Sequence, residues 1–442
     1  MERRAPDAST HVDTNPIHHT ELMPYAWSYG MGAESTAGIY RMLTDPNARP
    51  DTIAPDYSNL VVVIAQTGDE WSTTGKLVER HILPLLRKHN VRLVEVARKG
   101  PTKKDGVAVL QDTRQPYRLH LEGAYKLSHE NRATGTMPQL GGVRKCSQKA
   151  KGWPQDAWRA KEFGDQQYIH AIGFNVNEYT RITRDSAYSM GGQRIPTYPI
   201  YEWGWGRQDC IDYLYRELGV VWPKSCCRHC PYAGCQAGWP EQLARFATLP
   251  AEAAQHIIDE YVCTALNPRS GLFGPGKSLI SRLQRDRVTE PVKLAAARMK
   301  RMPWAIYRVR RFYFAPANAI RSVDRVLLGG HLVVYAALEE MSDLVGVPLV
   351  RHEQIAGAPV RDGDRDVHRR LWVRQRQDGA YPAMEEFYTV APAQALDKSM
   401  DRFDDTWAAH TDTLLARLES RCEAAADVVR HALTRSRFTS AS

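Results

Sequence analysis

Apolar and polar positions alternate in short blocks through the first part of the chain. An apolar run, Met23 to Trp27, leads into Ser28-Tyr29-Gly30-Met31-Gly32-Ala33-Glu34-Ser35-Thr36, after which Ala37 to Leu43 carry helical spacing. Leu60 to Ala65, reading LVVVIA, is the unbroken apolar run that a strand buried on both faces requires. Ser72 or Thr73 can cap a helix whose apolar side is Leu77, Val78, Ile82, Leu83, Leu85 and Leu86, and Val91 to Val96 alternates as a strand. Strand, glycine turn, helix, strand, helix, strand predicts an α/β layered domain with a parallel sheet.

Further along, the pattern predicts loops from Gly100 to Trp158, a strand from Tyr168 to Phe174 and a helix from Gln208 to Leu218. Beyond Pro240 the spacing turns helical, through Leu243, Phe246 and Leu249 and then Ala254, Ile257, Ile258, Tyr261 and Val262. Asp401 to Phe438 reads as one long amphipathic helix with Phe403, Trp407, Leu414, Leu418 and Val429 on its apolar side. The stretch from Arg321 to Leu396 mixes strand-like runs with Gly and Asp turns and receives no assignment. The expected organisation is a polar mobile tail over 1–20, a nucleotide-binding domain with a cysteine cluster over 21–240, a helical basic segment over 241–320, and a mixed segment over 321–442 ending in the long helix. No internal repeat is visible.

With 442 residues there is enough chain for more than one core, so the eight cysteines are not needed as staples. Five of them fall between Cys210 and Cys235, and no apolar leader precedes them, which points to chemistry in a reducing compartment and to a cytoplasmic protein. The longest apolar stretch, Val326 to Leu338, is interrupted by Gly329, Gly330 and His331 and is too short to span a bilayer, so no membrane partner is expected. The formal charge of +9 is local: residues 277–311 hold eleven basic side chains against Asp286 and Glu290, and the rest of the chain is balanced. Trp304, Tyr307, Phe312, Tyr313 and Phe314 are interleaved among Arg298, Arg301, Arg308, Arg310 and Arg311, a mixture suited to phosphate contact and base stacking, or else to a solvated helix face with an apolar back.

Gly30 and Gly32, set between a strand and a helix, let the backbone approach an anion, while Ser35, Thr36 and the free N–H groups of the helix can donate to its oxygens. Cys227-x-x-Cys230 lets two thiolates from one turn grip a single metal. Cys210, Cys263 and Cys422 lie at apolar helical positions and read as small buried hydrophobes.

The glycine-rich segment, read with three others, resembles the adenine-nucleotide alpha-hydrolase (PP-loop) superfamily, which includes phosphoadenosine-phosphosulfate reductases and ATP pyrophosphatases. The superfamily loop S-G-G-x-D-S-T is matched here by Gly32, Ser35 and Thr36, with Gly30, Met31 and Glu34 replacing Ser, Gly and Asp. Thr67-Gly68-Asp69-Glu70 is similar to T-G-x-E. Ile172-Gly173-Phe174-Asn175-Val176-Asn177-Glu178-Tyr179-Thr180-Arg181 is similar to I-G-x-R-x-D-E-x-x-R, retaining Glu178 and Arg181. Tyr198-Pro199-Ile200 with Glu202-Trp203 is similar to Y-P-L…E-W.

The resemblance covers residues 27–239 and implies a Rossmann-like, HUP-type parallel sheet with a helical C-terminal extension. It further implies ATP across the carboxyl edge of that sheet, held by Ser28, Gly30, Gly32, Ser35, Thr36, Thr67, Gly68 and Gly173. Glu34 or Glu70 would hold Mg2+, and Ser35, Glu34, Glu70, Glu178 and Arg181 would form the catalytic set. Arg144-Lys145-Cys146-Ser147 resembles a segment preceding the cysteine pair in cluster-bearing members, which implies a [4Fe–4S] cluster, or alternatively Zn2+, on Cys146, Cys227, Cys230 and Cys235, with Cys226 or His229 able to replace one ligand.

The reductases also need a C-terminal E-C-G-x-H segment, and Ser420-Arg421-Cys422-Glu423 lacks the Gly and His. The expectation is therefore an enzyme that cleaves ATP at the alpha-phosphate to adenylate an acceptor, with sulfur transfer to a nucleic acid and a sulfur-donor protein as partner, as in DNA phosphorothioation enzymes of the superfamily. The alternatives are a phosphoadenosine-phosphosulfate reductase-like protein, a small-molecule adenylating enzyme, and a degenerate nucleotide-fold protein that binds nucleic acid without turnover.

Overall fold

The computed structural model describes residues 22–138, 145–188, 192–235, 237–273, 278–316, 318–351, 368–377 and 379–439; the tail expected over 1–20 lies outside them. The first of two six-stranded sheets is built from β1 (Tyr25–Ser28), β2 (Leu60–Ala65), β3 (Arg92–Arg98), β4 (Val107–Thr113), β5 (Tyr168–Ile172) and β6 (Arg194–Thr197), in the order β4-β3-β2-β1-β5-β6. Every pairing is parallel except β3 with β4. β1 and β2 are buried throughout save for Ser28, as their apolar runs require. One face packs Trp27, Val62, Ile64, Ile169 and Ala171 against Ile39 and Met42 of helix 33–44, and the other packs Ala26, Val61, Val63 and Tyr168 against Trp158 and Phe163 of helix 153–163. This is a mixed α/β architecture with a mostly parallel sheet.

Three sequence expectations are corrected. The stretch 100–158 is not loop throughout: it holds antiparallel β4 and the helices 127–134 and 153–163. The helix from Ser72 is capped by Trp71 without a side-chain hydrogen bond, because the Ser72 hydroxyl instead donates to Glu252. The long C-terminal helix is two, Phe403–His410 and Thr413–Thr439, divided where the Asp412 carboxylate accepts the Leu415 N–H at 2.8 Å and starts the second.

The larger departure is a second, wholly antiparallel sheet. Its strands β7 (Trp304–Ala315), β8 (Asn318–Gly329), β9 (Leu349–Arg351), β10 (Arg369–Arg374), β11 (Ala383–Pro392) and β12 (Lys398–Ser399) run in the order β12-β8-β7-β11-β10-β9. The segment 241–320 is therefore helical only as far as Arg301. Helix 250–266, buried on nearly every side, is sandwiched between helix 290–301 and the second sheet. Its last carbonyls are satisfied from that sheet: Arg370 donates to the Thr264 and Ala265 oxygens at 2.5 and 2.9 Å, and Arg311 donates to that of Leu266.

Candidate functional site

From β1 the chain crosses to β2 on one side and later returns to β5 on the other, so the order of strands reverses at β1. In open α/β sheets the crevice outside the carboxyl ends of strands at such a reversal is where ligands bind. A cavity of about 820 Å³ opens there, lined among others by Ser28, Gly30, Gly32, Glu34, Ser35, Gly173 and Asn175.

The turn that forms its floor has a definite cause. Met31 adopts φ 58°, the left-handed region that favours glycine, although it carries a buried side chain. Trp222 holds it there by donating its indole N–H to the Met31 carbonyl at 3.0 Å, and the Ser225 hydroxyl donates to the Gly30 carbonyl at 2.6 Å. Gly32 then caps helix 33–44, whose first closed bond runs from the Thr36 N–H to the Gly32 oxygen at 2.9 Å. The N–H groups of Ala33, Glu34 and Ser35 are left without intrahelical acceptors at the positive end of the helix. Across the turn, a Cβ on Gly173 would lie 2.9 Å from Ser35 Cα and 3.0 Å from its nitrogen, so only glycine permits this approach of the end of β5. A Cβ on Gly30 meets nothing within 4 Å.

Glu34 lines the cavity and is held by Arg207, at 2.9 and 3.1 Å, and by the Asn175 amide at 3.3 Å. Glu178 and Arg181 also line it and pair with each other; Glu178 accepts the Asn175 N–H, and Arg181 lies over the Phe174 ring at 4.4 Å.

The other residues singled out in the sequence are placed elsewhere. The Thr36 hydroxyl turns inward to Tyr29 at 3.1 Å. Thr67, Gly68 and Glu70 stand apart from the cavity lining. Gly68, at φ +79°, forms a turn beneath Lys126, and the Thr67 hydroxyl sits 3.4 Å from Glu70. Glu70 bridges to the backbone of Cys227 and pairs with Lys151 at 2.7 Å, and it is Lys151 that reaches the cavity wall. Burial opposes the Lys151 charge, but Glu70 and the nearby Cys227 and Cys226 outweigh it and hold its pKa above the ordinary lysine value.

A network that lines the same cavity, from Ser28, Gln155, Arg159, His170 and Arg194, went unread in the sequence. The Ser28 hydroxyl meets Gln155 at 2.6 Å, His170 Nε2 at 2.7 Å and Arg159 at 3.2 Å, while Arg194 Nε donates to His170 Nδ1 at 2.6 Å. Burial, with the Arg159 and Arg194 charges beside it, drives His170 well below its ordinary pKa, so the ring is neutral. Because Nδ1 accepts from an arginine, the ring proton sits on Nε2 and points at Ser28. His170 cannot take the serine proton, and the pair is not a nucleophile with its base. A histidine at an inward position of a buried strand is the signal that marks it.

Cys146, Cys226 and Cys227 each lie within electrostatic reach of Cys230, and burial, the largest effect on each of these three, raises their thiols, Cys226 to about 12. Cys235 is directed away: its thiol donates to the Tyr232 carbonyl at 3.1 Å. His229 is turned to Asp259 at 2.9 Å. Among the described residues, no three His, Cys, Asp or Glu side chains are closed into a metal-ligand geometry. Cys210, Cys263 and Cys422 are buried, as expected.

The basic segment divides. Arg298 and Arg301 lie on helix 290–301, where Arg298 donates to the Ala251 carbonyl and Arg301 is exposed. Arg308, Arg310 and Arg311 lie on β7 and face carboxylates: Arg308 meets Glu386, Glu419 and Glu423, Arg310 meets Asp324 and Asp404, and Arg311 meets Glu385. Their charge is neutralised within the fold, so they do not present it to a polyanion.

No helix among the described residues is long and apolar enough to cross a membrane. No family model, curated protein or solved structure matches the chain.

Proposed function

We propose that the chain binds ATP in the cavity at the strand reversal, in a Rossmann-like PP-loop arrangement of the HUP type, and cleaves it at the alpha-phosphate to adenylate an acceptor. The observation that carries the reading is the contact of Gly173 with Ser35 beside the free N–H groups of a helix that opens into that cavity. An acceptor oxygen attacks the alpha-phosphorus, the bond to the bridging oxygen breaks, and pyrophosphate leaves with the charge that the N–H groups of the turn stabilise. Mg2+ suits Glu34, the one acidic side chain on the turn, together with phosphate oxygens. Glu70 is committed to Lys151, so its role is to fix that lysine at the cavity wall. A phosphoadenosine-phosphosulfate reductase-like reaction is disfavoured because Cys422 is buried in the core. With ATP labelled at the alpha-phosphate and Mg2+, labelled AMP or an adenylated acceptor is expected together with pyrophosphate. Formation of ADP and phosphate alone overturns the reading. A binder without turnover would give neither product.

The thiols offer a soft donor set for a [4Fe–4S] cluster or Zn2+, which would favour their ionised form and serve sulfur transfer from a donor protein. The electrostatic neighbourhood favours Cys226 over Cys235 as the fourth ligand. Metal analysis after anaerobic purification is expected to show metal lost in Cys146→Ser, Cys226→Ser and Cys227→Ser and retained in Cys235→Ser. Loss only in the last variant reverses the ligand choice, and sulfide with iron distinguishes a cluster from zinc.

A further inference from the structure

Three cations converge on a single carboxylate where the two sheets meet, and a fourth lies beside them. Glu130, on helix 127–134, takes Arg98 of β3 at 2.6 Å and Lys149 at 2.8 Å. Lys398 of β12 lies within electrostatic reach of the same Glu130 and of Arg98, Lys149 and Arg321, and its side chain has no ion pair or hydrogen bond of its own among the described residues. Among the described residues Arg321 of β8 finds no carboxylate either: it donates to the Thr134 carbonyl and the Thr136 hydroxyl, both at 3.0 Å, and its Nε is buried without a partner. Burial, with Arg311 nearby, lowers its pKa to about 10.

The other acids close by do not redress this balance. Asp105 lies within reach of Arg98 and caps its own turn, while Asp397 accepts the Arg325 N–H at 2.9 Å. The loop leaving β3 adds the exposed Lys99, Lys103 and Lys104. Tyr125, with Arg98 5.2 Å over its ring, supplies an aromatic face.

We infer that this seam is a docking surface for the phosphate backbone of a nucleic acid. An excess of cations over carboxylates, with Arg98 carried by the first sheet and Arg321 and Lys398 by the second, forms the charge pattern that a row of phosphodiesters neutralises, and release of the polymer's counterions would drive the association. The patch also shares a wall with the cavity. Lys149 and Lys151 lie on one helical turn, Gln148–Gly152, with Lys149 paired to Glu130 and Lys151 at the cavity wall beside the cysteines. That the docked polymer is the acceptor of the transferred group rests on the function proposed above; that it docks here does not.

The test is anisotropy of short labelled duplex and single-stranded DNA with the full chain, in the absence of nucleotide, over a salt series. Lys149→Glu with Lys398→Glu is expected to weaken binding at least about tenfold and to lower the salt slope by about two, one unit for each lost phosphate contact. Arg298→Glu with Arg301→Glu is expected to leave both unchanged. The opposite ranking, equal loss in both double variants, binding of a polyglutamate peptide as tight as that of DNA, or no DNA binding by the wild type at low salt overturns the inference. Should the lysine variants fail to fold, acetylation of the wild type decides: DNA should protect Lys149 and Lys398, and their full modification in its presence overturns the docking. Pyrophosphate release from ATP is measured separately, so loss of turnover with intact, Lys149-dependent DNA binding refutes only the reaction.

Discussion

Gly173→Ala is expected to lower ATP-dependent pyrophosphate release by about 10²-fold while the protein remains folded. The added methyl meets Ser35 at its Cα and its backbone nitrogen, not at the movable end of a side chain, so either the end of β5 or the start of helix 33–44 must shift. The displaced N–H is one of those proposed to face the leaving pyrophosphate, and misplacement of such a group by a fraction of an ångström to an ångström reaches that magnitude. Gly30→Ser is the matched control, since its Cβ enters open space. Rates for both variants, read beside their thermal midpoints, decide the matter; an unimpaired Gly173→Ala would remove the phosphates from this turn.

The largest expected loss of stability belongs to Arg132→Met. Arg132 on helix 127–134 pairs with Asp259 of helix 250–266, which also meets His229 at 2.9 Å and Gln255 at 2.9 Å, all at buried or half-buried positions. Burial alone would raise the Asp259 carboxyl, but the His229 hydrogen bond and the Arg132 charge overcome it and hold the carboxyl well below its usual range. Its contribution to stability is therefore present above about pH 4 and is lost as the solution is acidified further. Methionine keeps the volume and removes the charge, leaving a buried carboxylate short of its main counter-ion, at a cost of about 3–5 kcal/mol. Denaturant midpoints test this; a shift equivalent to less than about 1 kcal/mol would show that Asp259 is satisfied without the arginine. Arg132→Met with Asp259→Leu should lose less than the sum of the two single variants.

The parallel sheet was legible because its strands are uniform. LVVVIA admits few alternatives, and the glycine turn and the end of β5 fall beside it in space as the sequence order led one to expect. The antiparallel sheet was not legible because buried ion pairs disguise its alternation. Glu385 and Glu386 are fully buried on β11, and Arg311 is buried on β7, so a reading that places charge outside assigns those runs to the surface. The same disguise made the β7 arginines look available to a polyanion. The seam around Glu130 was hidden for a different reason: its cations come from residues 98, 149, 321 and 398, which no local window of sequence brings together. Arg207 and Lys151, both at the cavity, are single charges in unremarkable surroundings until the fold sets them there.

Met31 shows that a bend need not be built by the residues inside it. Where a flexible residue would turn of its own accord, here an indole more than a hundred positions away clamps the peptide into the same curve. Pattern searches that insist on glycine at that point will pass over chains which achieve the bend by outside support, and the residue worth comparing among them is the tryptophan at 222 as much as anything inside the turn.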